Sequence, residues 1–345
     1  MHKIAVIPGD GIGPEVVDVG LKVLERICLK HSIDYITKIF PYGGEHYLKT
    51  GEVLPDEALE TLKSYDVIFL GAVGDPDVPP GVLEKGILLK LRFELEQYIN
   101  LRPVKLYPGV ETPIKGKTAE NFNYVVVREN TGGLYTGVGE QTDKGTDKEV
   151  VVQSMLYSYK QVDRCLRYAF ELANNRLAKK LALIGKNNVL TIVFDLWDRL
   201  FDSIGQEYPD VTREYYHVDA TCMHMINAPE RFDVMVTTNM FGDIITDLGA
   251  ATQGGMGMAC SGNINPEHKT PSMFEPVHGS APDIAGQNKA NPLATVMTVK
   301  MMLEFLGEAV AAENIETAIC AVTQEGTYKG LGTREVGEKI LALIS

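Results

Sequence analysis

Within its first hundred residues the chain alternates short β-rich runs with apolar positions at helical spacing, and this alternation restricts the fold more than any other feature. Residues 3–7 form a strand-like run, followed by the loop Pro8-Gly-Asp-Gly-Ile-Gly-Pro14. Residues 15–29 then place Val16, Val19, Val23 and Ile27 on one face of a helix. Residues 33–40 read as a strand, 55–64 as a helix with Pro55 near its start, and 66–70 as a strand of the buried type. Such β-loop-α alternation predicts an α/β fold, a mainly parallel sheet with helices on both faces.

A Gly/Pro-rich stretch at 71–86 interrupts the pattern and leads into a helix through about Tyr98. Further strands are expected at 124–128, 149–154, 181–184 and 233–237, and long helices at 159–174 and 188–204. From Asn291 onward, Ala294, Val296, Met297, Met301, Met302 and Phe305 read as one amphipathic helix. No repeat, low-complexity tract or charged linker marks a domain boundary. The 345 residues, 45% of them hydrophobic, suffice for one large domain or two ordinary ones without disulfide staples. The five cysteines are scattered and form no CxxC pair, which points to a reducing compartment rather than a zinc site. A net charge of −13 with no basic stripe opposes nucleic-acid binding. No apolar run reaches the ~20 residues of a membrane span, and a strand beginning almost at the N-terminus leaves no room for a signal peptide. The expectation is a soluble, cytoplasmic protein with no membrane partner.

Chemistry-bearing residues cluster where apolar strands end. Gly9-Asp-Gly-Ile-Gly13 resembles a dinucleotide fingerprint, but Pro14 stands where the third glycine of G-x-G-x-x-G belongs, so the fold is not expected to be a Rossmann fold. A tight strand-to-helix turn explains the loop equally well. Asp243 and Asp247, after the apolar run 234–236, share one helix face. Like charges four residues apart repel, and a divalent cation reverses that repulsion; all-oxygen donors suit Mg2+ or Mn2+. A bare D-x-x-x-D is more often a solvated acidic face. Arg128, at the end of the run 125–127, suits a carboxylate, and Tyr135 on the following Gly-rich loop suits proton donation. Arg92 and Arg102 would complete a cation set for a di- or tricarboxylate. Lys186, in Gly185-Lys-Asn-Asn188 after the run 181–184, stands where a base is useful, although a solvated lysine is the commoner case. Asp283, in the loop Glu275-Pro-Val-His-Gly-Ser-Ala-Pro-Asp283, can accept hydrogen bonds from a ribose diol and would repel a 2′-phosphate.

Six segments in order, IPGDGIGPE, NLRPVKLYPGV, RENTGGLY, VDATCMH, FDVMVTTNMFGDIITDLGA and EPVHGSAPDIAG…ANP, resemble the isocitrate/isopropylmalate dehydrogenase family of β-decarboxylating enzymes over nearly the whole chain. The resemblance implies that Arg92, Arg102 and Arg128 bind malate carboxylates, with Leu88 and Leu89 lining the pocket for the C3 substituent. It implies that Asp219, Asp243 and Asp247 hold Mg2+ or Mn2+, that Lys186 and Asp219 serve deprotonation of the hydroxyl, and that Tyr135 protonates the enol. Ile12, Glu275, His278, Gly279, Ser280, Ala281, Asp283 and Asn291 are the implied cofactor contacts, with NAD favoured by Asp283. Lys186 and Asp219 would come from the partner subunit of a homodimer with composite active sites. The implied division is a large discontinuous domain, 1–102 and 256–345, and a small one, 103–255.

Two departures stand out: Asn187 between Lys186 and Asn188, and the run Ala259-Cys-Ser-Gly-Asn263. The expected reaction is metal-dependent oxidative decarboxylation of a malate-type 2-hydroxy acid, with 3-isopropylmalate first, D-malate or tartrate next and isocitrate third. Lys85 would instead suit a polar C3 substituent. A catalytically silent binding homologue and a phosphate-binding module built on the first loop are the readings from other classes.

Overall fold

Alternate residues of the central strands feed cores on opposite faces of one sheet in the computed structural model, which describes residues 1–344. The chain runs through β1 (His2–Gly9), α1 (Gly13–His31), β2 (Tyr35–Ile39), α2 (Gly44–Thr50), α3 (Asp56–Leu62) and β3 (Val67–Ala72). A π-helical segment, Glu84–Leu89, runs into α4 (Lys90–Glu94), followed by β4 (Ile99–Lys105) and β5 (Asn123–Glu129). β6 (Gly139–Thr142) and β7 (Val150–Gln153) form a separate two-stranded ribbon. Next come α5 (Tyr159–Asn175), β8 (Lys180–Gly185), α6 (Thr191–Gly205), β9 (Thr212–His217), α7 (Val218–Asn227), β10 (Val234–Thr237) and α8 (Asn239–Thr252). The chain closes with β11 (Cys260–Ile264), β12 (Ser272–Pro276), α9 (Leu293–Phe305), α10 (Ala309–Glu325) and α11 (Thr333–Ile344).

Ten strands make one sheet in the order β2-β1-β3-β12-β11-β4-β5-β10-β8-β9. Six of its nine pairings are parallel; β11 runs antiparallel to both β12 and β4, and β4 to β5. Ile4, Val6, Val67, Phe69, Leu181, Leu183, Val234 and Val236 enter a core with α1, α5, α6, α9, α10 and α11. The intervening Ala5, Ile7, Ile68 and Leu70 meet α3 and α4, while Ala182, Ile184 and Met235 meet α7 and α8. Strands buried on both faces read as continuous apolar runs, which is why these were visible in the sequence.

Three expectations need correcting. The helix expected through about Tyr98 stops at Glu94, because Glu96 turns into the left-handed region at φ +43° and the chain reverses into β4. The strand near 149–154 is present but lies in the exposed ribbon, outside the main sheet. The segment after Asn291 is a helix, but it is not amphipathic: Leu293 through Val299 and Met301 through Leu303 are all buried. α9 passes between α1, α10 and the β11–β12 strands, so it is apolar on nearly every side. Among the described residues no helix is long and apolar enough to cross a membrane, and all five cysteines are free.

Candidate active site

A polar seam crosses the middle of the sheet, between the two smaller apolar cores. On the face that carries Val104 and Val126, β4 supplies Asn100 and Arg102, β5 supplies Arg128, β11 supplies Ser261 and Asn263, and β12 supplies Glu275. All six side chains are buried. Buried charges are tolerated only when they are paired and hydrogen-bonded, and here they are. Arg92, from α4, donates to Glu275 at 3.3 Å; Arg102 donates to Asn100 at 2.8 Å and to Thr246 at 2.7 Å. Burial lowers the pKa of both arginines, and mutual repulsion adds to it, leaving Arg102 at about 10. Arg92 Nε is buried and has no partner among the described residues. Three converging guanidinium groups, one with a free buried Nε, can take the carboxylates of an acid.

Arg128 is clamped from several sides. Its Nε and one Nη donate to Asn239 Oδ1 at 2.9 and 2.7 Å, and the other Nη reaches Asp243 at 2.5 Å. Tyr135 donates to the second Asp243 oxygen at 2.6 Å and lies under the Arg128 guanidinium, 5.2 Å from ring centre to charge. The turn carrying Tyr135 is built by Glu129, whose carboxylate accepts from Thr131 N, Thr131 Oγ1 and Gly132 N at 2.9, 2.6 and 2.7 Å. Gly133 sits at φ +74° with Tyr157 Oη where a Cβ would be, so only glycine fits that turn. Burial pushes the Asp243 pKa up, but Arg128, Tyr135 and Arg102 outweigh it and hold the carboxyl below its ordinary value. Asp247 is raised instead, by burial and by Asp243, although Arg102 lies 3.6 Å away. Burial and the Asp243 hydrogen bond keep the Tyr135 phenol protonated well into the alkaline range.

Lys186 and Asp219 stand apart from this cluster. Lys186 follows β8, Asp219 opens α7, and the two pair with each other at 2.7 Å, which holds Asp219 below the usual carboxylate range. Among the described residues no three His, Cys, Asp or Glu side chains gather as a metal set within one chain. Asp243 and Asp247 are therefore one protein ligand short of the set read from the sequence. Asn187, one of the two departures, donates from its side chain to Asp198 at 3.0 Å and lies 3.2 Å from His217 Nε2, which fixes the Lys186 turn to the end of β9.

An open cleft of about 840 Å³ reaches Tyr135 and Asp243, walled by Leu89, Leu134, Met240 and Ile244 with Glu84 and Lys85 at its rim. Leu89 thus faces the cleft, whereas Leu88 packs against the core of Ile7 and Leu59. The Gly9–Pro14 loop leaves few free donors for a phosphate: Asp10 N, Ile12 N and Gly13 N are bonded to Ala72, Ser280 and Asp10 carbonyls. The Asp10 carboxylate fills the turn, accepting from Gly44 N and Gly74 N. Gly11, at φ +56°, allows Ser280 to approach, and Ile12 packs with Val16, Ala281, Ile284 and Ala285. The loop's role is to seat the 278–283 segment. His278 is half-buried, its pKa is lowered by burial, and its Nε2 has no partner among the described residues. Gly279 and Asp283 are exposed beside it, and Asn291, just before α9, accepts from Leu293 N at 3.1 Å.

The structure adds residues that sequence reasoning passed over: Asn100, Asn239, Thr246 and Asn263, which hold the arginines, and Leu134, Met240 and Ile244, which wall the cleft. Asn100 and Asn239 lay inside segments already singled out; their signal was an amide beside a charged group in a strand or at a helix start.

Comparison with known proteins places the chain in a family. The family pattern described as isocitrate/isopropylmalate dehydrogenase matches residues 3–340. A 3-isopropylmalate dehydrogenase of Thermobifida fusca is 53% identical over 340 residues, 98% of this chain and 96% of that protein. One from Streptomyces coelicolor is 51% identical over 344 residues, 99% of this chain and 98% of that protein. The crystal structure of isocitrate dehydrogenase from Methylococcus capsulatus superposes with a TM-score of 0.89 at 36% identity, covering 100% of this chain and 99% of that one.

Proposed function

This chain belongs to the isocitrate/isopropylmalate dehydrogenase family, and from that premise we propose that it oxidises and decarboxylates 3-isopropylmalate. NAD is the proposed acceptor and Mg2+ or Mn2+ the proposed metal. The observation that carries the substrate is the apolar wall of Leu89, Leu134, Met240 and Ile244 beside Tyr135 and Asp243. An isopropyl group on C3 buries against that wall while the two carboxylates meet Arg92, Arg102 and Arg128. D-Malate and tartrate leave the wall unfilled, and isocitrate brings a third carboxylate against it. Lys85 favours the charged substituent, but Glu84 beside it offsets that field. Apolar discrimination of this kind is worth ~1–3 kcal/mol, so weak turnover of the smaller acids is expected.

The donor set fits a hard divalent cation. Asp243 and Asp247 offer only oxygen, and the burial and Asp243 repulsion that raise Asp247 are both offset by a positive charge. The partner subunit's Asp219 supplies the missing carboxylate in the proposal. The unpartnered His278 Nε2 and the open space over Gly279 fit a nucleotide. A metal held by Asp243 and Asp247 would supply Lewis acidity at the 2-hydroxyl, and NAD held beside His278 would supply the acceptor for the C2 hydride. The chain's own residues do the rest. The arginines orient the acid and keep both carboxylates ionised. The partner subunit's Lys186, paired with the partner's Asp219, belongs to the apparatus that takes the hydroxyl proton. Once the bond from C3 to its carboxylate breaks and CO2 leaves, the Tyr135 phenol delivers its proton to C3.

The proposal includes a cytoplasmic homodimer. Exposed Val150, Val151 and Val152 on the ribbon and Met223, Ile226 and Ile244 on α7 and α8 support an apolar interface. The free cysteines support a reducing compartment. Within each subunit, 1–102 with 256–345 forms the larger domain and 103–255 the smaller. NADH formation with Mn2+ or Mg2+, tested on 3-isopropylmalate, D-malate, tartrate and isocitrate with and without EDTA, decides the matter. EDTA-sensitive turnover with the highest kcat/KM for 3-isopropylmalate is expected. A higher value for another acid overturns the substrate, and no turnover by any of them leaves a silent binding homologue.

A further inference from the structure

We infer that Asn263 is a positioning residue that couples Arg102 to Arg92 through an unbroken buried chain of hydrogen bonds. The inference rests on the proposed role of those arginines in holding the acid. Each link has a fixed direction. Arg102 Nε donates to Asn100 Oδ1 at 2.8 Å, Asn100 Nδ2 donates to Asn263 Oδ1 at 2.9 Å, and Asn263 Nδ2 donates to Glu275 Oε1 at 2.8 Å. Arg92 donates to that same Glu275 oxygen at 3.3 Å.

The direction is set by chemistry. Guanidinium groups only donate and an ionised carboxylate only accepts, so the two amides between them must each accept on one side and donate on the other. Asn263 Oδ1 receives a second amide donor, Asn130 Nδ2 at 3.0 Å, which rules out the flipped amide. The sheet register builds the row: Asn100 pairs with Arg128 on one neighbouring strand and with Asn263 on the other. Asn100 and Asn263 are both fully buried, so water has no access to replace a lost link. Asn263 is where three strands meet: β4 through Asn100, β12 through Glu275, and the end of β5 through Asn130.

No common replacement does this work. Serine is too short to span from Asn100 to Glu275, aspartate removes the donor and sets a negative charge against Glu275, and leucine removes both. Losing the link frees the Glu275 side chain from Asn263 and leaves Asn100 Nδ2 held by Ser261 Oγ alone, at 2.8 Å, and the spacing of the two guanidinium groups relaxes. A misplacement of ~1 Å in a substrate-orienting group costs about 100-fold. Because the clamp acts on the acid before and during reaction alike, the effect falls mainly on KM.

The test uses Asn263→Ala, Asn100→Ala and the double variant of the full-length protein, read by steady-state kinetics and by crystal structures without substrate. Asn100→Ala breaks the same chain one link away and serves if Asn263→Ala fails to fold. The expected result is a 3-isopropylmalate KM raised about 10–100-fold with kcat within about 3-fold. The double variant is no worse than the worse single, and the Arg92 and Arg102 guanidinium groups move by more than about 0.5 Å. Arginines that stay in place, a KM within twofold of the parent, or effects that multiply in the double variant overturn the inference. If the parent itself fails to turn over 3-isopropylmalate, the substrate proposal falls, while the crystal structures still decide the coupling.

Discussion

Gly242→Ala separates activity from stability in a way that no charge removal does. Gly242 lies in the first turns of α8, directly over the stem of Arg128. A Cβ there would stand 2.5 Å from Arg128 Cγ, 2.7 Å from its Cβ and 2.9 Å from its Cδ. Ordinary contact begins about 1 Å farther out, so the stem must yield by that amount. It cannot yield freely, because the guanidinium is held by Asn239 and Asp243 at 2.5–2.9 Å. Overpacking of this kind costs ~1–3 kcal/mol, and alanine in a helix returns up to ~1 kcal/mol relative to glycine. The net loss of stability is therefore about 1 kcal/mol. Displacing the guanidinium by ~1 Å costs about 100-fold in kcat/KM, equivalent to ~2.7 kcal/mol of transition-state binding. Urea unfolding and NADH-formation kinetics on one preparation give both numbers. Gly249→Ala is the control: it lies on the same helix, where a Cβ would meet Val104 Cγ2 at 2.8 Å, away from the arginines. It should lose similar stability and keep its kinetics. A Gly242→Ala protein with kcat/KM within twofold of the parent, or a Gly249→Ala protein that loses as much, refutes the reasoning.

Tyr135→Phe removes only the hydroxyl bonded to Asp243; kcat should fall about 10²–10⁴-fold with the thermal midpoint nearly unchanged, and a smaller kinetic loss argues for another proton donor. Asp247→Asn should raise the Mn2+ concentration for half-maximal turnover by at least the ~10–100-fold that loss of a ligand's supporting partner costs, and unchanged metal dependence removes Asp247 from the metal set. Lys186→Ala and Tyr135→Phe subunits, each inactive alone, should regain up to about a quarter of parental activity when refolded together, because a mixed dimer with composite sites keeps one site intact; no recovery in mixed dimers places both residues in one subunit's site. Buried Glu316 accepts from Lys105 and from Tyr107 at 2.8 Å, and although burial raises its pKa, Lys300 and Lys105 bring it below its ordinary 4.5. Its stabilisation is complete above about pH 4.5 and lost as pH falls through the lower folded value, so Glu316→Gln should lower stability at pH 7 and progressively less below pH 4.5; a cost independent of pH contradicts the ion pairing.

Within the middle of the sheet, the strands that were legible and those that were not differ in one physical respect, while the exposed edge strand β9 was missed for want of an apolar pattern. Residues 66–70, 125–127, 181–184 and 234–236 are apolar on both faces because helices cover both sides of the sheet there. β4, β11 and β12 carry Asn100, Arg102, Ser261, Asn263 and Glu275 on one face, so their patterns are broken and none stood out as a strand. α9 was legible as a helix but not as a buried one, because its apolar residues point to nearly every side and periodicity reports only a one-sided face. The charged site residues were visible singly, at strand ends, because charge beside an apolar run is conspicuous. Their amide supports were not, since an asparagine in sequence looks like a loop residue.

What made those strands hard to read is also what makes them useful. A buried row of polar side chains is stable only if every donor finds an acceptor, and a sheet supplies that when adjacent strands place matched groups in register. Asn100 opposite Asn263 on one side and Arg128 on the other is such a match, and it needs β4 and β11 antiparallel to come about. The antiparallel interruption in an otherwise parallel sheet therefore sits where the arginines must be held, and it is the feature that lets two apolar cores share a charged seam without unfolding around it.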